Sequence, residues 1–98
     1  MTEQETSNLG QLAAQVLDNA AFNQAMLYMR NDVTAQWKAC PIRDREGQML
    51  LLQAAKLVDK VESTLRGMLE AGKMANAKID IDSARSESKF KRTLRAIG

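Results

Sequence analysis

Residues 18–41 read DNAAFNQAMLYMRNDVTAQWKACP, and most of the predicted fold follows from them. The large apolar residues recur at spacings of four, three, four and four, which places them on one face of an α-helix. Asp18-Asn19 supplies a helix cap, and Pro41 ends the helix because it removes a backbone donor and disfavours helical angles at Cys40. The sequence therefore predicts a helix over residues 20–39. Its apolar face comprises Phe22, Met26, Met29, Val33 and Trp37.

A longer amphipathic stretch follows after four or five residues. Asp44 is a typical N-cap and Gly72 suits the position just past a helix C-terminus, so a helix of about 27 residues is predicted between them. Leu50 and Leu57 widen its apolar stripe into a core-facing surface. Two such helices joined by a short loop fold back as an antiparallel hairpin. The stripe comprises Leu51, Ala54, Val58, Val61, Leu65 and Met68.

The N-terminal part of the chain is predicted to be less regular. Residues 1–8 are polar without apolar periodicity and are expected to be flexible, and a short helix capped by Ser7 or Asn8 follows up to Leu17. This helix, or an oligomer partner, is expected to cover the end of the long helix. Gly47 and Gly67 are expected to mark close helix contacts. The hairpin domain therefore spans residues 9–72.

The basic character of the chain is confined to residues 73–98. Residues 1–72 hold seven Lys or Arg against nine Asp or Glu, whereas residues 73–98 hold seven against three. Residues 73–82 fit either a helix or an extended segment, and Ser83–Ser88 is polar enough to predict a loop. A short basic amphipathic segment ends the chain. Its apolar residues are Phe90, Leu94 and Ile97, and its basic residues are Lys89, Lys91, Arg92 and Arg95.

Four interpretations of this basic tail stay open. Phe90, Leu94 and Ile97 suit anchors in a groove of another protein, with the basic residues at the rim. Alternatively, the segment is a final helix packed on the uncovered end of the long helix. The basic side chains also suit non-specific, salt-dependent contact with nucleic acid phosphates, or an anionic membrane surface. Trp37, at a helix end, is a second candidate for partner binding.

The composition argues against catalysis. The chain has no His, a single Cys40 and five scattered Gly, so no imidazole, disulfide or glycine-rich phosphate loop is available. We therefore predict no enzyme activity, no cofactor and no metal site. The N-terminus lacks the apolar core of a secretion signal, and the longest apolar run is Met49–Leu52, so neither export nor a membrane span is expected.

The pattern of caps and apolar spacings resembles that of small helical proteins encoded by tailed bacteriophages near their head and packaging genes. The resemblance lies in LDNAAF at 17–22, Trp37 with Pro41, DREG at 44–47 and VESTLR at 61–66 closing at Gly72-Lys73. It implies a non-enzymatic virion component or assembly factor, present in the host cytoplasm during synthesis. The basic C-terminus is similar in kind to the coat-binding tails of phage scaffolding proteins.

We therefore predict an all-α protein, a long antiparallel helical hairpin with a short N-terminal helix and a basic amphipathic C-terminal segment. Because a hairpin this small buries little apolar area, it is expected to form a homo-oligomer. Its expected partner is a larger virion or assembly protein bound through the tail. The alternative is a small protein that associates with nucleic acid or regulates a host factor.

Overall fold

A computed structural model describes the backbone of residues 1–97 and the side chains of residues 1–86. Over residues 1–97 the chain forms three helices, α1 (Glu3–Leu17), α2 (Ala20–Ala39) and α3 (Arg45–Ile97), and no strand. The predicted all-α class is confirmed. The molecule is elongated, measuring 83 × 26 × 16 Å, and its radius of gyration is 22.8 Å. A compact domain of this length has a radius of gyration of about 13 Å.

The bounds of α2 and the start of α3 agree with those predicted from the sequence. The side-chain oxygen of Asn19 accepts a hydrogen bond from the Phe22 amide at 2.9 Å and caps α2. At the other end, Cys40 before Pro41 is extended, with ψ of 129°, so the helix stops there. Asp44 accepts from the Gly47 amide at 2.9 Å and caps α3. These predicted caps and the proline stop are confirmed.

The start of α1 differs from the one predicted from the sequence. The helix begins at Glu3, because the Thr2 hydroxyl accepts a hydrogen bond from the Glu5 amide at 3.1 Å. Glu3 and Glu5 lie in the first turn, where carboxylates interact favourably with the helix dipole. The predicted cap at Ser7 or Asn8 is wrong, since Ser7 lies inside the helix and is 3% exposed.

The end of α3 differs most from the prediction. The predicted stop at Gly72 is wrong, because the helix continues from Arg45 to Ile97. Residues 73–82, which fitted either a helix or an extended segment, are helical, and the predicted loop at Ser83–Ser88 is helical as well. No Pro follows Gly72 to interrupt the backbone hydrogen bonds. A helix of 53 residues is about 80 Å long, twice the predicted length.

Gly72 has a packing role inside α3. A Cβ atom added to Gly72 would lie 2.7 Å from the Cα of Gly10, and one added to Gly10 would lie 2.7 Å from the Cα of Gly72. Side chains at either position would hold α1 and α3 apart. The close contacts expected at Gly47 and Gly67 are absent, since Gly47 faces the capping carboxylate of Asp44 and Gly67 has no such neighbour within 4 Å.

Ion pairs accompany the packing of α1 and α2 along α3. Lys78 Nζ lies 2.6 Å from a carboxylate oxygen of Glu3 in α1. In α2, the guanidinium of Arg30 donates to Glu62 and lies 3.5 Å from Asp59. The positions contacted on α3 therefore fall from 78 to 59 as the chain advances through α1 and α2.

Few apolar side chains are fully covered by this packing. Among the described residues, the buried hydrophobic side chains are those of Ala13, Met26 and Ala75. Leu50 and Leu57 were expected to face the core, but they are 61% and 64% exposed. That expectation is wrong because α1 and α2 cover a single side of α3, and these leucines lie away from it.

We expect Gly72→Ala to destabilise the fold, although alanine favours helix formation. The added methyl group meets the Gly10 backbone, and overpacking of this kind costs about 1–3 kcal/mol, which exceeds the roughly 1 kcal/mol gained in helix propensity. Urea unfolding followed by circular dichroism measures the change. Gly67→Ala is the matched control and should stabilise the single chain, measured at dilution, by up to about 1 kcal/mol, because its added methyl group meets open space within the chain. Equal effects at the two positions would contradict the close contact.

The ion pair at Glu62 predicts a pH-dependent contribution to stability. Hydrogen bonds from Arg30, and then from Arg66, lower the pKa of Glu62 below its ordinary value of 4.5. The carboxylate therefore stabilises the fold above that pH, and the stabilisation is lost as the pH falls through the lowered pKa. Glu62→Gln should unfold at lower urea than wild type at neutral pH, with the difference shrinking in acid.

Glu70→Gln is the control for this measurement. Glu70 contacts Lys73 at 3.5 Å within the same helix, and both side chains are well exposed. Its substitution should change the urea midpoint less than Glu62→Gln does. A Glu62→Gln variant with an unchanged midpoint at neutral pH would show that this pair does not stabilise the packing of α2 on α3.

Candidate protein-interaction surface

The predicted apolar face of α2 is buried at one position and partly or fully exposed at the others. Met26 is 3% exposed, whereas Met29 is 43% and Trp37 is 58% exposed. Trp37 lies near the end of α2, as predicted, and more than half of the residue is exposed. It lines a shallow cleft of about 210 Å³ together with Val33, Thr34, Leu51, Leu52 and Ala55. An apolar side chain of a partner would fit such a cleft.

A second apolar surface lies on α3. Leu57, Val61 and Leu65 line a shallow groove with Lys60 and Thr64. Three of these residues, Leu57, Lys60 and Thr64, belong to a longer row of exposed positions on α3, spaced alternately by four and three residues, which we call the outer stripe. The outer stripe comprises Glu46, Leu50, Gln53, Leu57, Lys60, Thr64, Gly67, Ala71, Met74 and Lys78.

Sequence reasoning assigned the leucines of the outer stripe to the core. A heptad-spaced helix can present apolar residues on more than one side, and the spacing alone does not say which side faces α2. Leu50 and Leu57 are seven residues apart, so the sequence does indicate that they share a face. It does not indicate that this face differs from the one packed against α2. Tyr28, at 65% exposure, is another apolar surface residue on α2 that was missed.

The predicted tail residues occupy the last turns of α3. Their backbone belongs to the same continuous helix, so the interpretation of residues 89–97 as a separate final helix that folds back is corrected. The side chains of the predicted partner-binding residues lie outside the described part of the chain, so their contacts stay predictions. These residues are Lys89, Phe90, Lys91, Arg92, Leu94, Arg95 and Ile97.

The single cysteine lies in the loop between α2 and α3. Cys40 Sγ is 3.8 Å from a carboxylate oxygen of Asp44 and 3.8 Å from the Pro41 carbonyl oxygen. Partial burial, followed by the negative charge of Asp44, raises the pKa of the Cys40 thiol above its ordinary value of 9.0. The group is therefore a protonated thiol at neutral pH and a poor nucleophile.

Neither a metal-binding cluster nor a membrane-spanning helix is present among the described residues. They contain no cluster of three or more His, Cys, Asp or Glu side chains that could hold a metal ion. Within the same part of the chain, no helix combines the length and the apolar character needed to cross a bilayer.

Comparison of the chain with protein-family models, with curated proteins and with solved structures finds no match in any of the three.

We expect two residues of the same predicted face of α2 to differ in their importance for stability. Met26→Ala should cost about 2–5 kcal/mol, because the side chain is 3% exposed and its removal leaves a cavity. Trp37→Ala should cost less than about 1 kcal/mol, since 58% of the residue is exposed. Thermal and urea unfolding measure both changes. A larger loss for Trp37→Ala would make that ring part of the core instead of a partner surface.

Proposed function

We propose that this protein is a non-enzymatic phage assembly protein. It is a helical hairpin that associates with itself and engages a larger structural protein of the virion through its basic C-terminal segment. It acts in the host cytoplasm during particle assembly and can remain in the virion. The proposal draws on the geometry of exposed apolar residues and on the resemblance of the sequence to small helical phage proteins.

The observation that carries the proposal is the exposure of large apolar side chains along both long helices. Leu57 and Tyr28 are 64% and 65% exposed, and Met74 is 74% exposed. Single exposed apolar residues are normal, but aligned ones are typical of surfaces that bind other proteins. The apolar positions of the outer stripe are aligned in this way along α3. Burial against other chains is the most economical explanation of so sparse an intramolecular core.

The length of α3 supports a role for the C-terminal segment. Lys78 contacts Glu3, which is the first residue of α1, so α1 begins opposite this point of α3. The helix then continues for 19 residues to Ile97, or about 28 Å. We call residues 79–97 the C-terminal arm. They hold five Lys or Arg against three Asp or Glu, so the net positive charge of the chain lies on this arm. We propose that Phe90, Leu94 and Ile97 anchor it in an acidic groove, with the basic residues at the rim.

Binding of nucleic acid is the second candidate function, and the same basic arm favours it. The two functions differ in what the apolar residues contribute. A protein groove requires Phe90 and Leu94, whereas phosphate contacts require the cations and weaken steeply with salt because counterions are released. A third possibility, capture of a host factor, would use the half-exposed ring of Trp37 instead of the arm.

Co-expression with the major head protein encoded near its gene tests the arm. We expect the intact chain to co-purify with that protein, and Phe90→Ser/Leu94→Ser to lose the association at both low and high salt. Lys91→Gln/Arg92→Gln, a matched pair of substitutions in the same turns, should weaken binding at low salt and change it little at high salt.

Fluorescence anisotropy with a labelled random-sequence DNA duplex distinguishes the alternative. If the arm binds nucleic acid, wild type should bind the duplex with a steep salt dependence, and the two charge substitutions should abolish binding while Phe90→Ser/Leu94→Ser retains it. That result, with no association of the intact chain with the head protein, would overturn the assembly proposal.

A further inference from the structure

The outer stripe has the properties of a helix–helix interface. From Glu46 to Lys78 its positions are spaced alternately by four and three residues, so they form one continuous row along about 48 Å of α3, the kind of row that faces a partner when two helices wind around each other. Every one of these positions is exposed. Between the two ends, Lys60 is the only charged residue of the stripe. A solvated helix face would carry more charge over this length, so the stripe is suited to contact with another helix.

The stripe is available because α1 and α2 use another side of α3. Arg30 of α2 reaches α3 at Glu62 and Asp59, and the α1 backbone meets α3 at Gly72. None of these three positions belongs to the stripe, and α1 meets the stripe at its C-terminal end, where Lys78 pairs with Glu3. Gly67, which does belong to it, has open space where a side chain would project. A second helix can therefore approach without displacing α1 or α2.

The stripe is complementary in size to itself when two copies run antiparallel. Suppose that a twofold axis passes between the two copies at the level of residue 62. Each position of one copy then faces a position of the other copy that lies the same number of residues from 62, on the opposite side of it. Leu57 then faces Gly67 of the second copy, so a large side chain meets the site with no side chain. Leu50 faces Met74 at the outer part of the stripe, and both are well exposed in the single chain.

The remaining positions fit the same register. Gln53 faces the small Ala71, and Lys60 faces Thr64, whose hydroxyl can accept a hydrogen bond from the ammonium group. A parallel arrangement would place Lys60 against Lys60 and Gly67 against Gly67, which combines repulsion with a gap. The sizes of the side chains therefore favour the antiparallel arrangement.

The charges at the two ends of the stripe favour the same orientation. In the antiparallel register Glu46 faces Lys78 of the second copy, and the twofold axis repeats this pair at the other end. Lys78 Nζ already lies 2.6 Å from Glu3, so it would bridge two carboxylates. A parallel pair would bring Glu46 to Glu46 and Lys78 to Lys78, and like charges at both ends act against that alternative.

We infer that the outer stripe binds the outer stripe of a second copy of this chain, forming an antiparallel dimer with its twofold axis near residue 62. This inference rests on the proposed self-association and specifies its surface. Because the interface is isologous, it closes at two chains and leaves the C-terminal arms at opposite ends of the dimer. The dimer therefore presents two arms to the larger structural protein.

Disulfide trapping in the full-length chain tests the arrangement. In a Cys40→Ser background, we prepare Gln53→Cys and Ala71→Cys as separate single variants with different tags and mix them under mild oxidation. The antiparallel register brings positions 53 and 71 of different chains within disulfide range. Cross-linking in the mixture should exceed that of either variant alone at least about tenfold, because the thiols are held together at high effective concentration.

A control mixture and the measured mass distinguish failure of this interface from failure of self-association as a whole. Lys56→Cys replaces Gln53→Cys in the control mixture; Lys56 is exposed but lies off the stripe, and it should not cross-link to Ala71→Cys. Efficient cross-linking within a single variant would overturn the antiparallel register. Dimeric mass by light scattering without the mixed cross-link would overturn the interface and leave self-association standing. A monomeric mass would overturn both.

Substitution of Gly67 gives an independent test. Gly67→Gln fills the site opposite Leu57, so the dimer dissociation constant should rise more than about tenfold. Because the added side chain meets open space within one chain and Gln favours helix, the thermal stability of the dilute monomer should not fall. Gly67→Ala is the smaller comparison and should weaken the dimer less. A dimer unaffected by Gly67→Gln would overturn the inference.

Discussion

The contact between the backbones of Gly10 and Gly72 is the constraint on which the packing of α1 depends. At this point no side chain separates the two helices, because a Cβ on either residue would approach the other to 2.7 Å. The close approach lets short residues complete the interface, and Ser7, Ala13 and Ala75 are buried around it. An ion pair between Glu3 and Lys78 lies at the end of the same interface. The α1 half of the fold is therefore held by proximity of backbones more than by large apolar side chains.

The packing of α2 on α3 differs from that of α1, and this difference explains why apolar residues near Trp37 are exposed. Here Met26 is the buried side chain, while Arg30 forms ion pairs with acidic residues of α3 across a partly exposed interface. With one buried side chain and partly exposed ion pairs, α2 covers α3 without a large apolar core. The consequence is that apolar residues such as Trp37 and Leu52 line open clefts instead of an interior.

The sequence predicted several features whose causes are local, although the cap at Thr2, which is also local, was missed. The caps at Asn19 and Asp44 and the stop before Pro41 depend on a few neighbouring atoms, and they were identified correctly. Gly72 was misread because a glycine after an apolar stripe suits a helix end, whereas its actual role requires Gly10, which is 62 residues earlier in the chain. Leu50 and Leu57 were assigned to the core for a related reason, since spacing shows which residues share a face but not what covers it.

A single long helix with heptad spacing can carry out two kinds of recognition at once. On one side of α3, positions such as Glu62 and Gly72 match α2 and α1 of the same chain. On the other side, the outer stripe has large residues before position 62, small residues soon after it, and opposite charges at its two ends. A solvated face does not require this asymmetry. An antiparallel dimer does, because it places the half of the stripe before residue 62 against the half after residue 62 of the second copy. The rigid continuity of α3 would then fix the direction of both C-terminal arms, so self-association and partner binding are two consequences of one helix.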